Sequence, residues 1–267
     1  MPLKRDDNGN RWVEMELVVP GTPEQVWRAL ATGQGNTAWF ARTSIEERVG
    51  GTLHFDFGPN GESKGEVTVW QPPERLEYVE RGWAENAPAV VTEVTVTART
   101  GDRCLVRMVH SLFTSTDAWD DQLEDFEGGW PGFFEVLKLY LAHFADMDAA
   151  SFLAKASTKV SHLETWKRLV HLLGLAGVDA GDRVTVTGAE ELSGTVELVR
   201  QSDDERYIVL RLDEAAAGIA LIGTYGSAEA GSASLALYLY GEQAEARANR
   251  GGSRWQDWLD MKFPEAT

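Results

Sequence analysis

The sequence predicts an α+β protein of two successive units, each running helix, antiparallel strands, closing helix. Three observations carry this expectation. Capped amphipathic helices open at Thr22 and Ser161, ahead of each run of strands. Apolar residues then recur at period two from 45 to 113 and from 183 to 240, with glycine and proline turns between them. Near the end of each half stands Gly-Gly followed by tryptophan, in Gly128-Gly129-Trp130 and in Gly251-Gly252-Ser253-Arg254-Trp255. A length of 267 residues suits two units better than one, 1–150 and a smaller 151–267, with the junction between 147 and 160.

The elements follow in order. Trp12–Val19 has the β-branched composition of a strand and stops at Pro20-Gly21. Thr22 caps a helix, Pro23 suits its first position, Gln25 completes a capping box, and Val26, Trp27 and Leu30 make its apolar stripe to about Thr32-Gly33. Strands are predicted at 45–48, 53–57, 65–70, 75–80, 90–98 and 103–113. The turns at Gly50-Gly51, Pro59-Asn60-Gly61, Pro72-Pro73 and Thr100-Gly101-Asp102 are short enough for an antiparallel meander. Phe133, Val136, Leu137, Tyr140 and Phe144 then lie at helical spacing. In the second half Ser161 and Glu164 cap a helix with Trp166 and Leu169 in the places of Trp27 and Leu30, ending at Gly174. Strands follow at 183–187, 194–200, 207–213, 219–225 and 232–240, and Gly194-Thr195-Val196-Glu197-Leu198-Val199 echoes Gly65-Glu66-Val67-Thr68-Val69-Trp70. The order allows a divergent, shortened second copy; helix, strands, helix is also a common arrangement between unrelated units.

Composition removes several classes of function. Charged residues at 25% and hydrophobic residues at 43% exclude a disordered or fibrous chain. The formal charge is −17, with 13 basic and 25 acidic side chains in 1–150 against 12 and 17 in 151–267. Such a field opposes nucleic acid and anionic lipid. Cys104 is the single cysteine, so neither an internal disulfide nor a cysteine-rich zinc site is expected. With no apolar leader and no stretch long enough to span a bilayer, a cytoplasmic protein is expected. There is no Gly-x-Ser-x-Gly elbow, phosphate loop or dinucleotide fingerprint, and no cofactor is expected.

A set of motifs in the first half resembles a known superfamily. It comprises Val-Pro-Gly-Thr-Pro-Glu-Gln-Val-Trp-Arg-Ala-Leu at 19–30, Gly50-Gly51 before a strand, Gly65-Glu66-Val67 followed by Pro-Pro-Glu-Arg-Leu-Glu-Tyr at 72–78, and a glycine–tryptophan start to the closing helix. Over about residues 12–146 these resemble the START-like (SRPBCC, Bet v-like) superfamily, and within it the branch homologous to the activator of the heat-shock-protein-90 ATPase. The resemblance implies a helix-grip fold: a curved antiparallel sheet wrapped around a long C-terminal helix, with a cavity between them that often holds an apolar or amphipathic ligand. It is much fainter over 160–267.

Strand alternation indicates which side chains would line such a cavity. Cys104, Val106, Met108, His110 and Leu112 share one strand face; Leu53, Phe55 and Phe57, Val67 and Val69, and Thr92, Val94 and Val96 share the inward faces of their strands. Phe133, Leu137 and Tyr140 would face them from the helix, Tyr78 would offer a hydroxyl, and Trp39-Phe40 would close the mouth. The predicted ligand residues are thus Trp39, Phe55, Phe57, Val69, Tyr78, Val94, Met108, His110, Phe133, Leu137 and Tyr140. Periodicity does not distinguish an open cavity from a packed core. His110 is the one ionisable group on an apolar strand face, able to orient a ligand or to be satisfied by a neighbour. Histidine spacing suggests no metal site. Asp117, Asp120, Asp121, Glu124, Asp125 and Glu127, interleaved with Trp119, Leu123 and Phe126, suggest a helical lid with a solvated acidic face.

Together these features favour non-enzymatic binding of a small apolar or amphipathic molecule, with a protein partner or second copy of the chain left open as a further contact. The resemblance keeps two alternatives: acid–base chemistry of the polyketide cyclase and aromatase kind, and a chaperone-associated role.

Overall fold

Thr22 caps helix α1 (Pro23–Ala31) reciprocally: its hydroxyl accepts from the Gln25 amide at 3.4 Å, and the Gln25 side chain accepts from the Thr22 amide at 3.1 Å. Two donors that a helix start leaves open are thereby satisfied. In the computed structural model, residues 3–264 are described apart from 7–9, 83–85, 113–118, 203–205, 214–216 and 227–229; for 60 and 120–129 only the backbone is described. The chain divides into two units, Met1–Asp146 and Met147–Thr267.

The first unit contains β1 (Lys4–Arg5), β2 (Arg11–Pro20), α1, α2 (Gly33–Thr37), β3 (Arg42–Ile45), β4 (Thr52–Asp56), β5 (Glu62–Gln71), β6 (Arg75–Glu80), β7 (Val90–Arg99), β8 (Arg103–Leu112) and α3 (Asp120–His143). Its sheet runs β1-β2-β8-β7-β6-β5-β4-β3, antiparallel throughout, and α3 packs against β2 and β8. This is the helix-grip arrangement. The opposite face of the sheet carries a chain of ion pairs from strand to strand: Lys4 to Glu14 at 2.7 Å, Glu14 to Arg107 at 2.6 Å, Arg107 to Glu93 at 3.1 Å, Glu93 to Arg75 at 2.7 Å and Arg75 to Glu77 at 3.0 Å. Cross-strand pairs of opposite sign are a stabilising unit of a sheet.

The second unit, β9 (Ala149–Thr158), α4 (His162–Leu172), β10 (Arg183–Thr187), β11 (Glu191–Gln201), β12 (Arg206–Leu212), β13 (Gly218–Gly226), β14 (Gly231–Tyr240) and α5 (Ala244–Lys262), has the order β10-β11-β12-β13-β14-β9. Without β1, α2 and β3 the first unit has this same order, since β9 pairs with β14 as β2 pairs with β8. The correspondence reaches single residues. Both sheets shift register at one place, between Val67 and Val69 and between Val196 and Leu198. The turn before each is fastened to the bulged strand in the same way. Gly50 N–H donates to Val67 O at 2.8 Å and Val67 N–H to Gly51 O at 2.9 Å; Gly181 N–H donates to Val196 O at 2.8 Å and Val196 N–H to Asp182 O at 2.9 Å. Gly50 and Gly181 both have positive φ, 74° and 96°, a region that favours glycine.

Several elements differ from the sequence expectation. The strand expected at 45–48 lies at Arg42–Ile45. α3 runs through Gly128–Gly132 rather than starting at 133, and α5 runs through Gly251-Gly252, because burial of Trp130, Phe134 and Leu137, and of Trp255 and Leu259, outweighs poor local propensity. In α5 the glycines also admit a neighbour: a Cβ on Gly251 would lie 3.0 Å from the Phe152 ring of β9. Strand β9 and helix α2 were not predicted. The backbone of α3 is helical from Asp120, but the acidic lid face expected over 117–127 lies outside the described side chains.

Candidate functional site

The interior of the first unit is built from the α1–α2 corner. Asn36 is buried and donates from Nδ2 to Leu30 O at 2.9 Å and to Thr32 O at 3.0 Å, while Trp39 Nε1 donates to Ala29 O at 2.8 Å. These bonds satisfy polar groups that would be costly to bury alone, and they fix Trp39 and Phe40 beneath the sheet. There Phe40 stacks on Trp130 of α3 at 4.8 Å between centroids and meets Phe55 edge-on at 5.4 Å and Phe133 at 5.1 Å. Trp130 also stacks on Phe134 and on His110, each at 5.5 Å. Offset and edge-to-face contacts of this kind contribute about 0.5–1.5 kcal/mol each beyond area burial.

One polar row crosses this interior. Tyr78, Thr92 and His110 are direct neighbours in the ladders of β6, β7 and β8, and all three are buried. Thr92 Oγ1 lies 2.9 Å from His110 Nδ1 and hydrogen-bonds the Tyr78 hydroxyl. Burial lowers the His110 pKa to about 4, so the imidazole is neutral at pH 7. Burial, and then the nearby Glu80 carboxylate, raise the Tyr78 pKa well above its ordinary value. Glu80 lies two residues further along the inner face of β6; Ser63 of β5 donates a hydrogen bond to it, and burial raises its pKa as well.

A cavity of about 10 Å³, room for a single water, remains between Trp39, Phe40, Phe55, Tyr78, Met108 and Trp130. The interior is therefore close to filled. Of the predicted ligand residues, Trp39, Phe55, Tyr78, Val94 and Met108 line this space. His110 stands behind Trp130, and Phe57 and Phe133 are half-buried rings at its edge, each in contact with Phe40. Leu137 is buried but does not reach the cavity. Two residues are elsewhere. The bulge turns Val69 to the outer face, opposite Glu77, because the extra residue reverses alternation beyond Val67. The Tyr140 hydroxyl is bonded to the Asp146 backbone beyond the end of α3. Leu30, Asn36 and Trp130 line the space without having been predicted to do so. Trp130 had a signal, the Gly-Gly-Trp motif, that points to a helix start rather than to a wall. In the second unit the matching interior is filled mostly by aliphatic side chains, among them Ile208, Leu210, Ile222 and Leu235, together with Trp166, Trp255 and Phe263. Among the described residues no cluster of His, Cys, Asp and Glu could hold a metal ion, and no helix is long and apolar enough to cross a membrane.

Comparison with known proteins bears on the first unit above all. Residues 20–142 match the model of the family described as Activator of Hsp90 ATPase homolog 1-like protein. No curated protein matches the chain. Among solved structures, the chain is similar to CalU16 from Micromonospora echinospora, at 19% identity over 53% of this chain and 83% of that one, with a TM-score of 0.43. Protein MLL2253 from Mesorhizobium loti is 26% identical over 50% of this chain and 98% of its own, with a TM-score of 0.43. DynU16, described as a putative protein in the dynemicin biosynthetic locus, is 15% identical over 94% of this chain and 97% of its own, also at 0.43.

Proposed function

Because residues 20–142 form a domain of the activator-of-Hsp90-ATPase homologue family, a helix-grip fold with an interior between sheet and helix, we propose that this domain binds a small amphipathic molecule there. One observation carries the proposal: the Tyr78–Thr92–His110 row is embedded in a ring-lined interior beside residual space. A core needs no such row for packing, and buried polar groups cost stability unless paired. A ligand would slide its apolar part between Phe40, Trp130 and Phe133 and bring its polar end to the row. Parting those rings costs contacts of about 1 kcal/mol each, which the buried ligand surface returns at about 25 cal/mol per Å².

The protonation states favour binding over acid–base catalysis. A base of pKa about 4 and a phenol raised by burial both stay neutral near pH 7, so they offer hydrogen bonds rather than proton transfer. Titration with 2-naphthol, one ring system with one hydroxyl, followed by tryptophan fluorescence, tests the reading. Saturable binding is expected, weakened roughly 5- to 10-fold by Tyr78→Phe, about the value of one hydrogen bond. No saturable change, together with no small molecule retained in native mass spectra, defeats the proposal.

A further inference from the structure

Glu80 is the charged group that the packing of this interior does not use. Its neighbours on β6, Leu76 and Tyr78, point into the cavity, so Glu80 shares the inner face of the sheet. It stands opposite Gly65 of β5 and Val90 of β7, and a Cβ on Gly65 would meet Val79 O at 2.9 Å and the Glu80 Cγ at 3.3 Å. Glycine at 65 thus admits the close approach of β6, both its backbone and the Glu80 side chain. Ser63 holds one carboxylate oxygen, and Ser63 in turn is the ladder partner of Phe55, one of the cavity rings. Among the described residues no lysine, arginine or histidine pairs with Glu80, in contrast to Glu14, Glu77 and Glu93 on the outer face, each of which has an arginine. A half-buried carboxylate without a cation is costly to keep. Burial raises its pKa, which agrees with a group the chain itself leaves without a counter-charge.

Aromatic faces and one carboxylate are what an organic ammonium group seeks, because ring quadrupoles attract the cation and the carboxylate neutralises it. We propose that Glu80 and the neighbouring rings, Phe55 and Tyr78 first, form the anchor for a protonated amine, so that the ligand class of this domain is an amphipathic organic amine with an apolar or aromatic body. This inference rests on the reading that the interior between sheet and α3 binds a small molecule. It adds the sign of the ligand's charge and the residue that reads it. The overall charge of −17 favours the approach of a cation, but it gives no preference for this location.

Two probes that share a ring system separate the inference from the reading beneath it: 2-naphthylmethylamine, an ammonium ion near neutral pH, and 2-naphthylmethanol, its neutral counterpart. Affinities would be measured by calorimetry on the full chain at physiological ionic strength, where general attraction between exposed charges is screened. The amine is expected to bind roughly 10-fold or more tightly than the alcohol, and Glu80→Gln to bring the two within about 2-fold by weakening the amine alone. Glu66→Gln removes an exposed charge from the other face of β5 and is expected to leave the preference intact. Equal binding of both probes to the unsubstituted protein overturns the amine assignment and leaves the site standing. A preference that survives Glu80→Gln removes Glu80 as the anchor. Failure of both probes to bind overturns the site, and the amine assignment with it.

Discussion

Replacing Thr92 with valine tests the polar row directly, because it removes one hydroxyl and keeps the shape. Thr92 is fully buried, and its hydroxyl serves both His110 Nδ1, at 2.9 Å, and the Tyr78 hydroxyl. A threonine hydroxyl has one proton and two lone pairs, so it donates in at most one of these bonds and accepts in the other or in both. Valine leaves two buried polar groups short of a partner, at about 1–3 kcal/mol each. The added methyl returns about 1 kcal/mol. The net expectation is a loss of about 1–5 kcal/mol from the first unit. Thr92→Ser provides the contrast: it keeps the hydroxyl and deletes one buried methyl, costing about 1 kcal/mol. Serine should therefore be the more stable variant, the reverse of the order that hydrophobic burial alone dictates. Urea unfolding followed by tryptophan fluorescence and by far-UV circular dichroism gives the two differences from shifts in the first unit's midpoint. A valine variant as stable as the unsubstituted protein, or more stable than the serine variant, refutes the claim that the row depends on this hydroxyl.

Two further expectations concern charge. Hydrogen bonds from Arg107 and then Lys4 hold the Glu14 carboxyl at about 2, below its ordinary 4.5. A carboxylate depressed in the folded state stabilises above its unfolded pKa, and that stability is lost as pH falls through the folded value. Glu14→Gln should thus cost about 1–2 kcal/mol at pH 7, the scale of a partly exposed ion-pair network, with the difference from the unsubstituted protein shrinking between about pH 4.5 and 2. A difference independent of pH over that range counts against the ion-pair account. His110 should show no change in its imidazole NMR shifts between pH 5 and 8, since burial puts its titration near 4; a midpoint above about 5.5 contradicts that burial effect.

How far the sequence revealed the fold differed from place to place, for physical reasons. The Thr22 cap, the strand alternation of β8 and the echo of Gly65-Glu66-Val67 at Gly194-Thr195-Val196 are local signals, and each corresponds to an observed element. β9 escaped because Ala-Ala-Ser-Phe-Leu-Ala-Lys-Ala has helical propensity, and non-local contacts, ten-residue pairing with β14 and the two hydrogen bonds of the Gln256 side chain to the Lys155 backbone, hold it extended. Alternation carries no mark of a bulge, so it places Val69 inward. Helical spacing gives a face and not a position along the axis, so it places Tyr140 at the cavity. The row itself was half visible: His110 and Tyr78 stood out, whereas Thr92 acquired its role through cross-strand register.

Both sheets bend at a bulge that is fastened by main-chain hydrogen bonds from a glycine turn, at Val67 in one unit and Val196 in the other. A curvature anchored in backbone atoms does not depend on which side chains fill the hollow beneath it. The two units accordingly share a bend while one hollow contains rings, a hydroxyl row and a carboxylate and the other contains mostly aliphatic side chains with Trp166, Trp255 and Phe263. The framework thus separates shape from contents, and the lining can be exchanged for another chemistry without redrawing the sheet.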